Sequence, residues 1–110
     1  MIHKFEDLEV WKISYQLAVD VYKFLRESRD YDLRNQIFKS ALSVPSNIAE
    51  GYERKSNKEY IQFLFVAKGS CGELRTQLMI LNQISNLNHD RINEFIEITR
   101  KISAMLYKLI

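Results

Sequence analysis

Residues 40–61 read SALSVPSNIAEGYERKSNKEYI and place one proline inside a stretch that otherwise has the spacing of an amphipathic helix. Its apolar positions recur in steps of three and four: Ile37, Ala41, Val44 and Ile48. This spacing predicts one buried face. Pro45 lacks a backbone N–H and crowds the carbonyl of Ala41, so we expect a kink in this helix. Small neighbours, Ser43, Ser46 and Asn47, are expected to offer hydrogen bonds to the freed backbone.

The turn after this helix carries a strong local signal. Ser56 and Glu59 form an S-x-x-E capping box, which predicts that the third helix begins there. Apolar or small residues then recur in a heptad-like stripe: Tyr60, Leu64, Ala67, Cys71, Leu74, Leu78 and Leu81. The third helix is therefore expected to run to Ile84 or its close neighbours.

Two glycines, Gly69 and Gly72, lie in the interior of the third predicted helix. Each costs about 1 kcal/mol relative to alanine. Because Ser70 and Cys71 are also small, we expect another backbone to pass close to this stretch. Gly51 is likewise expected to face a close contact or to loosen the end of the second helix.

The first predicted helix is apolar over more of its circumference than one core requires. One stripe runs through Leu8, Trp11, Tyr15, Ala18, Tyr22 and Leu25, and a second through Val10, Leu17, Val21 and Phe24. Together they span roughly 200°, whereas a surface helix needs about 100°. We expect another copy of the chain to cover the excess, so the sequence predicts an oligomer. The alternative is a four-helix bundle with an exposed apolar rim.

The second predicted helix has a polar stripe opposite its apolar face. Its members are mostly short side chains: Gln36, Ser40, Ser43, Asn47, Glu50 and Arg54. A stripe that faces only solvent more often carries lysine and glutamate, whereas serine and asparagine also suit a close contact with another helix. The sequence leaves both interpretations open.

Turn signals divide the chain into four helical segments. SRDYD at 28–32 offers Asp30 or Asp32 as a cap, and NLNHD at 86–90 offers Asn88 or Asp90. The last helix carries one apolar face: Phe95, Thr99, Ile102, Leu106 and Leu109. At 110 residues the chain fits one core. The sequence predicts a single domain over 1–110, an all-α, antiparallel up-down-up-down four-helix bundle with a proline-kinked second helix.

Composition and the first residues narrow the cellular setting. No apolar run approaches the roughly 18 residues of a membrane-spanning helix. The opening, MIHKFEDLEVW, lacks the apolar stretch and cleavage site of a signal peptide. A single cysteine, Cys71, cannot form an internal disulfide and fits a reducing compartment. We therefore expect a soluble, cytoplasmic protein with no membrane partner.

The chain offers few residues for catalysis or metal binding. His3 and His89 have no metal-binding neighbour in sequence, and the Glu-x-x-His pairs of di-metal bundles are absent. Cys71 falls on an apolar stripe, so we interpret it as a core thiol. Glu50 and Glu73 are not level with each other on antiparallel helices, so each is expected to meet a basic or amide partner across an interface. We predict no catalytic residue, metal site or cofactor.

Residues 43–78 carry a specific pattern, SVPSNIAEGYERKSNKEYIQFLFVAKGSCGELRTQL, and the opening FEDLEVWK extends it over nearly the whole chain. It resembles the 23S ribosomal RNA intervening-sequence proteins, a bacterial four-helix-bundle family. The matching residues include Ser43, Pro45, Asn47, Glu50, Gly51, Ser56, Glu59, Gly69, Ser70 and Glu73. The resemblance implies an antiparallel bundle that assembles as a ring, pentameric in relatives, with no catalytic residues to carry over. Relatives similar in fold are accessory proteins of diversity-generating retroelements, which bind nucleic acid and a reverse transcriptase.

The turn between the second and third helices is basic through Arg54, Lys55 and Lys58. We predict an oligomeric scaffold or RNA- or DNA-binding protein, in which a ring repeats these cations and phosphate contacts add through counterion release. The alternative is a protein-protein adaptor without nucleic-acid binding, whose rim or polar stripe binds a protein encoded nearby. Exposed turns are also often charged for solubility alone. A hydrolase or transferase is the third hypothesis.

Overall fold

Four α-helices make up the architecture, and the structure, a computed structural model, describes residues 2–110. A 3-10 turn, Phe5–Asp7, leads into α1 (Glu9–Leu25), which is followed by α2 (Tyr31–Tyr52), α3 (Asn57–Ile84) and α4 (His89–Leu109). Consecutive helices pack against each other and α1 closes against α4. Among the described residues, the diagonal pairs α1–α3 and α2–α4 are not neighbours. The predicted all-α, four-helix class is confirmed.

Side-chain caps explain where three of the helices begin. Asp30, Ser56 and Asn88 each accept the backbone N–H three residues further on, at 3.3, 3.2 and 3.1 Å. Each bond satisfies one of the amides that the first helical turn leaves free. Asp30 and Asn88 are therefore the caps among the alternatives that the sequence offered. The predicted start of the third helix at Ser56 is confirmed, and the Ser56 hydroxyl also donates to Glu59 Oε2 at 3.4 Å.

The core is built from one inner stripe of each helix. On α1 the buried stripe is the second of the two predicted ones, through Val10, Leu17 and Val21, whereas Tyr15 and Tyr22 of the first stripe are exposed. The predicted core stripes of α2 and α3 are buried, apart from the half-buried Tyr60. Leu109, at the end of the apolar face predicted for the last helix, is 43% exposed, because it is the last residue of α4 and lies beyond the fully buried Leu106.

Pro45 lies within α2 without ending it. The helix continues from Tyr31 to Tyr52, and Pro45 is buried. Asn47 Nδ2 donates to the carbonyl of Ser43 at 2.8 Å and to Ser43 Oγ at 2.9 Å. The predicted side-chain support of the backbone is thus present, at the carbonyl of Ser43 rather than that of Ala41. The kink itself stays a prediction.

Two contacts show how α1 is aligned with α2. Near the turn that joins them, the rings of Tyr22 and Phe38 lie 4.8 Å apart. At the other end, the Tyr52 hydroxyl donates to the carbonyl of Ile2 at 3.2 Å. The later residues of α1 therefore meet the earlier residues of α2. This order fixes the relative heights of residues on the two helices.

Candidate interaction surfaces

Three small residues of the family-like pattern, with one phenylalanine, join α2 to α3 in a close contact, called here the α2–α3 seam: Ser43, Gly51, Phe63 and Ser70. The hydroxyls of Ser43 and Ser70 lie 2.8 Å apart, and Ser40 and Ser70 are buried. A Cβ built on Gly51 would come within 2.7 Å of Phe63 Cβ, so the predicted close contact at Gly51 is confirmed. The middle of the polar stripe of α2 is therefore a helix contact and not a free binding surface.

Gly69 and Gly72 behave in the opposite way. A Cβ built at either position would meet no atom within 4 Å, and Gly69 is exposed. The predicted approach of another backbone is therefore not made within this chain. They lie on the side of α3 turned away from the core stripe, because they stand two residues before and one residue after the buried Cys71, at 100° per residue. The neighbouring Ser70 alone takes part in the seam.

The three basic residues predicted to form a contact surface at the α2–α3 turn are all exposed. Arg54 pairs with Glu50 at 3.7 Å on the same helical face, and its guanidinium lies 4.8 Å from the ring centre of Phe63. Lys55 and Lys58 are exposed and form no ion pair within residues 2–110. Two lysines of the three cations thus remain free for a partner.

Carboxylates accompany these cations along the chain. Glu50, Glu53 and Glu59 fall in the same ten-residue stretch as the three basic residues, so its formal charge is zero. All three are exposed. The turn therefore carries no excess of positive charge, and its unpaired cations are Lys55 and Lys58 among the described residues.

Glu50 and Glu73 have separate surroundings. Within the chain, Glu50 near the end of α2 pairs with Arg54 in the turn that follows, four residues on. Glu73 is exposed and lines a polar pocket of about 290 Å³ between α2 and α3, whose other walls are Gln36, Lys39, Ser40, Ser43 and Gln77. Glu50 does not line this pocket. The two carboxylates therefore do not share a site, as the sequence predicted.

A polar cluster that was not predicted from the sequence lies between α3 and α4. The Cys71 thiol donates to the carbonyl of Thr99 at 3.2 Å, and Arg75 donates to Thr99 Oγ1 at 2.9 Å and to Ser103 Oγ at 2.6 Å. Burial raises the pKa of the Cys71 thiol above its ordinary value, although Ser103 and Arg75 act in the opposite direction. The thiol is fully buried, so it serves the core as predicted. The spacing of Cys71 and Arg75, four residues apart on one helical face, was the available signal.

An apolar groove runs along the outer side of α1 and α2. It encloses about 490 Å³ and is lined by Tyr15, Ala18, Val19, Tyr22, Lys23, Arg26, Phe38, Leu42 and Pro45. Leu42 is 63% exposed, and Tyr15 and Tyr22 are 50% and 54% exposed. The apolar excess predicted on the first helix is therefore present on the surface. Lys23 and Arg26 make one end of this α1–α2 groove positive.

In the part of the chain that the structure describes, no group of three or more histidine, cysteine, aspartate or glutamate side chains is arranged to hold a metal ion. Of the helices within 2–110, none combines the length and the apolar character needed to cross a bilayer.

Comparisons with known proteins agree with this architecture. The family described as 23S rRNA-intervening sequence protein matches residues 6–108. A crystal structure from Bacteroides thetaiotaomicron, of a protein with unknown function from the S23 ribosomal protein family, superposes with a TM-score of 0.84 at 24% identity, covering 91% of this chain and 96% of that one. No curated protein matched the sequence. The match over residues 6–108 shows that the chain belongs to the 23S rRNA-intervening sequence protein family.

Proposed function

We propose that this chain is a non-enzymatic, cytoplasmic scaffold protein that assembles with copies of itself, and that the α1–α2 groove is its assembly surface. The observation that carries the proposal is the exposure of Leu42, Tyr15 and Tyr22 around one groove of about 490 Å³. Apolar surface favours burial by roughly 25 cal/mol per Å². A contiguous exposed patch of this kind is typical of an interaction site.

The non-enzymatic part of the proposal rests on what the reactive groups already do. The Cys71 thiol is buried and bonded to the carbonyl of Thr99, so it is closed to a substrate. Glu50 is paired with Arg54. The groove itself is lined by apolar side chains and two cations, which bind and orient a partner more readily than they transfer protons.

The resemblance to the family supports assembly as a ring. The family-like pattern of Ser43 to Leu78 points to a ring, and five copies are the number that relatives suggest. A ring would repeat the α1–α2 groove and the turn of Lys55 and Lys58 in every copy. The scaffold would thereby present the same surface several times around one axis.

Replacement of Leu42 by aspartate tests the proposal. Because Leu42 is largely exposed, the variant should keep its fold and lose its assembly. Leu109→Asp is the matched control, since Leu109 is an exposed leucine on α4, outside the groove. The mass in solution is measured by sedimentation velocity over a range of concentrations. An unaltered protein that stays monomeric throughout would refute self-assembly.

Nucleic-acid binding is the second candidate function, and the specific observation in its favour is the free, exposed pair Lys55 and Lys58. Repeated in an assembly, these cations would neutralise several phosphates at once. Binding is measured with labelled structured RNA and duplex DNA at low and near-physiological salt. Reversal of Arg54, Lys55 and Lys58 to glutamate should abolish it. Reversal of Arg29, Arg100 and Lys101, three exposed cations on other parts of the surface, should have a smaller effect.

An adaptor that binds a different protein is the remaining alternative. Its contact would lie in the α1–α2 groove, because that groove carries the large exposed side chains of Tyr22 and Leu42, whereas Ser43 of the polar stripe already contacts Ser70. The same sedimentation experiment separates the two cases. A protein that is monomeric alone, and binds no nucleic acid at low salt, would move the search to a partner encoded nearby.

A further inference from the structure

The pocket between α2 and α3, called here the α2–α3 pocket, is polar, in contrast to the α1–α2 groove. It encloses about 290 Å³ and its walls are Gln36, Lys39, Ser40, Ser43, Glu73 and Gln77. Every one of these side chains can form hydrogen bonds. Pockets that bind small molecules usually enclose about 300–1,000 Å³, so the α2–α3 pocket suits a compound at the small end of that range.

The alignment of α2 with α3 explains why these residues share one pocket. In the α2–α3 seam, the later residues of α2 meet the earlier residues of α3, so the two helices run in opposite directions. The contact between Ser43 and Ser70 fixes their relative height. Equal steps of about 1.5 Å per residue along each helix then put Ser40 beside Glu73. The two glutamines of the pocket face each other about one turn further on.

Ser40 is buried at the wall of this pocket without a hydrogen-bond partner. It is 5% exposed and lines the pocket. The neighbouring Ser43 is bonded to Ser70 and to Asn47, whereas the Ser40 hydroxyl forms no hydrogen bond within residues 2–110. Buried polar groups in natural proteins nearly always have a partner, because an unpaired one lowers stability. The pocket is therefore built around a hydroxyl that the chain leaves unpaired.

Gln77 supplies a second unpaired group on the opposite helix. Its Oε1 atom is fully enclosed and accepts no hydrogen bond from the described part of the chain. The last bond of a glutamine side chain rotates at low cost, because its torsional minimum is broad. A rotation of this amide would turn the oxygen toward a donor in the pocket. Two polar groups, one on each helix, thus lack partners at the same place.

Lys39 and Glu73 give the rim of the pocket one charge of each sign. Both are exposed, and they line the pocket from different helices. Neither forms an ion pair within residues 2–110. Glu73 would repel a simple anion, and Lys39 would repel a simple cation. A molecule that carries both a carboxylate and an ammonium group matches both charges.

We infer that the α2–α3 pocket binds a small zwitterion of the free α-amino acid type. Its carboxylate accepts hydrogen bonds from Lys39 and Ser40, and its ammonium group donates to Glu73 and Gln77. The rest of the pocket holds a short side chain. The site lies outside the α1–α2 groove, so it does not depend on self-assembly and either proposal can fail alone.

Thermal unfolding of the full chain with each standard L-amino acid, at up to about 10 mM, tests this inference. A ligand that binds the folded protein and not the unfolded chain raises the melting temperature. Isothermal titration calorimetry then gives the Kd of the amino acid with the largest effect. The matching amine without a carboxylate, and the N-acetylated amino acid, should each bind at least about tenfold more weakly, because each lacks one charge.

Variants of the two charged side chains test the location of the site. Lys39→Met and Glu73→Gln each remove one charge from an exposed position, so the fold should be kept. Each should weaken binding by about ten- to a hundredfold, since each removes a hydrogen bond to a charged group. Lys101→Met and Glu27→Gln are the matched controls, because these residues are exposed and lie outside the pocket. They should leave the Kd unchanged.

Ser40→Ala separates a ligand contact from a structural role. Because the hydroxyl has no partner within residues 2–110, its removal should leave the melting temperature of the ligand-free protein unchanged or raise it. The same variant should bind the amino acid more weakly. A hydroxyl that only supported the fold would give the opposite pattern, with a lower melting temperature and an unchanged Kd.

Binding that requires both charges of the ligand, and that weakens in Lys39→Met, Glu73→Gln and Ser40→Ala, supports the inference. The absence of any rise in melting temperature and of any heat of binding with every amino acid overturns it. Equal binding of the amine or of the N-acetylated compound overturns it as well, and so does a Kd that none of the three substitutions changes.

Discussion

The α2–α3 seam and the α1–α2 groove are both formed by α2, yet they are built in opposite ways. In the seam, Ser43, Gly51 and Ser70 are small, and the chain satisfies them itself through a hydroxyl pair at 2.8 Å and a backbone approach. In the groove, Tyr22 and Leu42 are large and remain more than half exposed. Small residues therefore mark the contact that the chain makes within itself, and large exposed ones mark the surface that we propose binds another copy.

The largest expected difference in the free energy of unfolding is between substitutions of two aliphatic residues of α2. Ile48 is fully buried, and Ile48→Ala should lower the free energy of unfolding by about 2–5 kcal/mol. Leu42→Ala, on the groove side, should change it by no more than about 0.5 kcal/mol in the monomer. Urea unfolding measured with low protein concentration gives both values. Equal losses of stability in the two variants would contradict the assignment of one side of α2 to the core and the other to the groove.

Replacing each of two glycines by alanine is expected to change the stability of the fold in opposite directions. Gly51→Ala should destabilise the fold by about 1–3 kcal/mol, because its Cβ would stand 2.7 Å from Phe63 Cβ. Gly69→Ala should stabilise the monomer by about 0.5–1 kcal/mol, since the new methyl meets nothing and alanine favours a helix. Thermal unfolding of the two variants provides the measurement. A stabilising Gly51→Ala would contradict the close approach in the seam.

The buried thiol is expected to give the inner side of α3 a pH-dependent contribution to stability. The pKa of Cys71 is raised by burial, so the folded protein keeps the thiol proton at a pH where the unfolded chain has lost it. Stability should therefore fall as pH rises through the ordinary thiol range, by less than about 1.4 kcal/mol per pH unit. Cys71→Ala should remove this part of the slope. A pH profile of unfolding that is unchanged by the substitution would argue against it.

The serine pair of the seam is expected to give the smallest effect. A hydrogen bond of this kind contributes about 1 kcal/mol. Ser43→Ala, Ser70→Ala and the double variant form a cycle whose coupling energy isolates the pair. Ser46→Ala is the control, because Ser46 is exposed on the same helix. A coupling energy near zero would mean that the close approach, and not the hydroxyl contact, holds the seam.

Much of the fold was predictable from the sequence because its determinants are local. The steps of three and four residues fix which side chains share a helical face, and Ile37, Val44 and Ile48 are buried as expected. The capping box of Ser56 and Glu59 marks the start of α3, because a cap is a contact between residues three apart. Family membership also follows from sequence, over residues 6–108.

The candidate surfaces were less predictable, because spacing fixes a face but not its neighbour. The sequence showed an apolar excess on the first helix, and only the tertiary structure decided that Val21 faces the core while Tyr22 faces the groove. It likewise decided that Gly51 is closely approached and that Gly69 is not. The positions of α1, α2 and α3 relative to one another decide which side chains are in contact and which face an open groove. The spacing of residues along one helix does not give those positions.

What the sequence by itself determined is the set of four helices, their caps and their inner stripes, since each depends on residues within a few positions of one another. The tertiary structure alone decided the partners of Ser43 and of Arg75, which lie 27 and 24 residues away in the chain. Contacts at such separations depend on the angle and height at which helices pack.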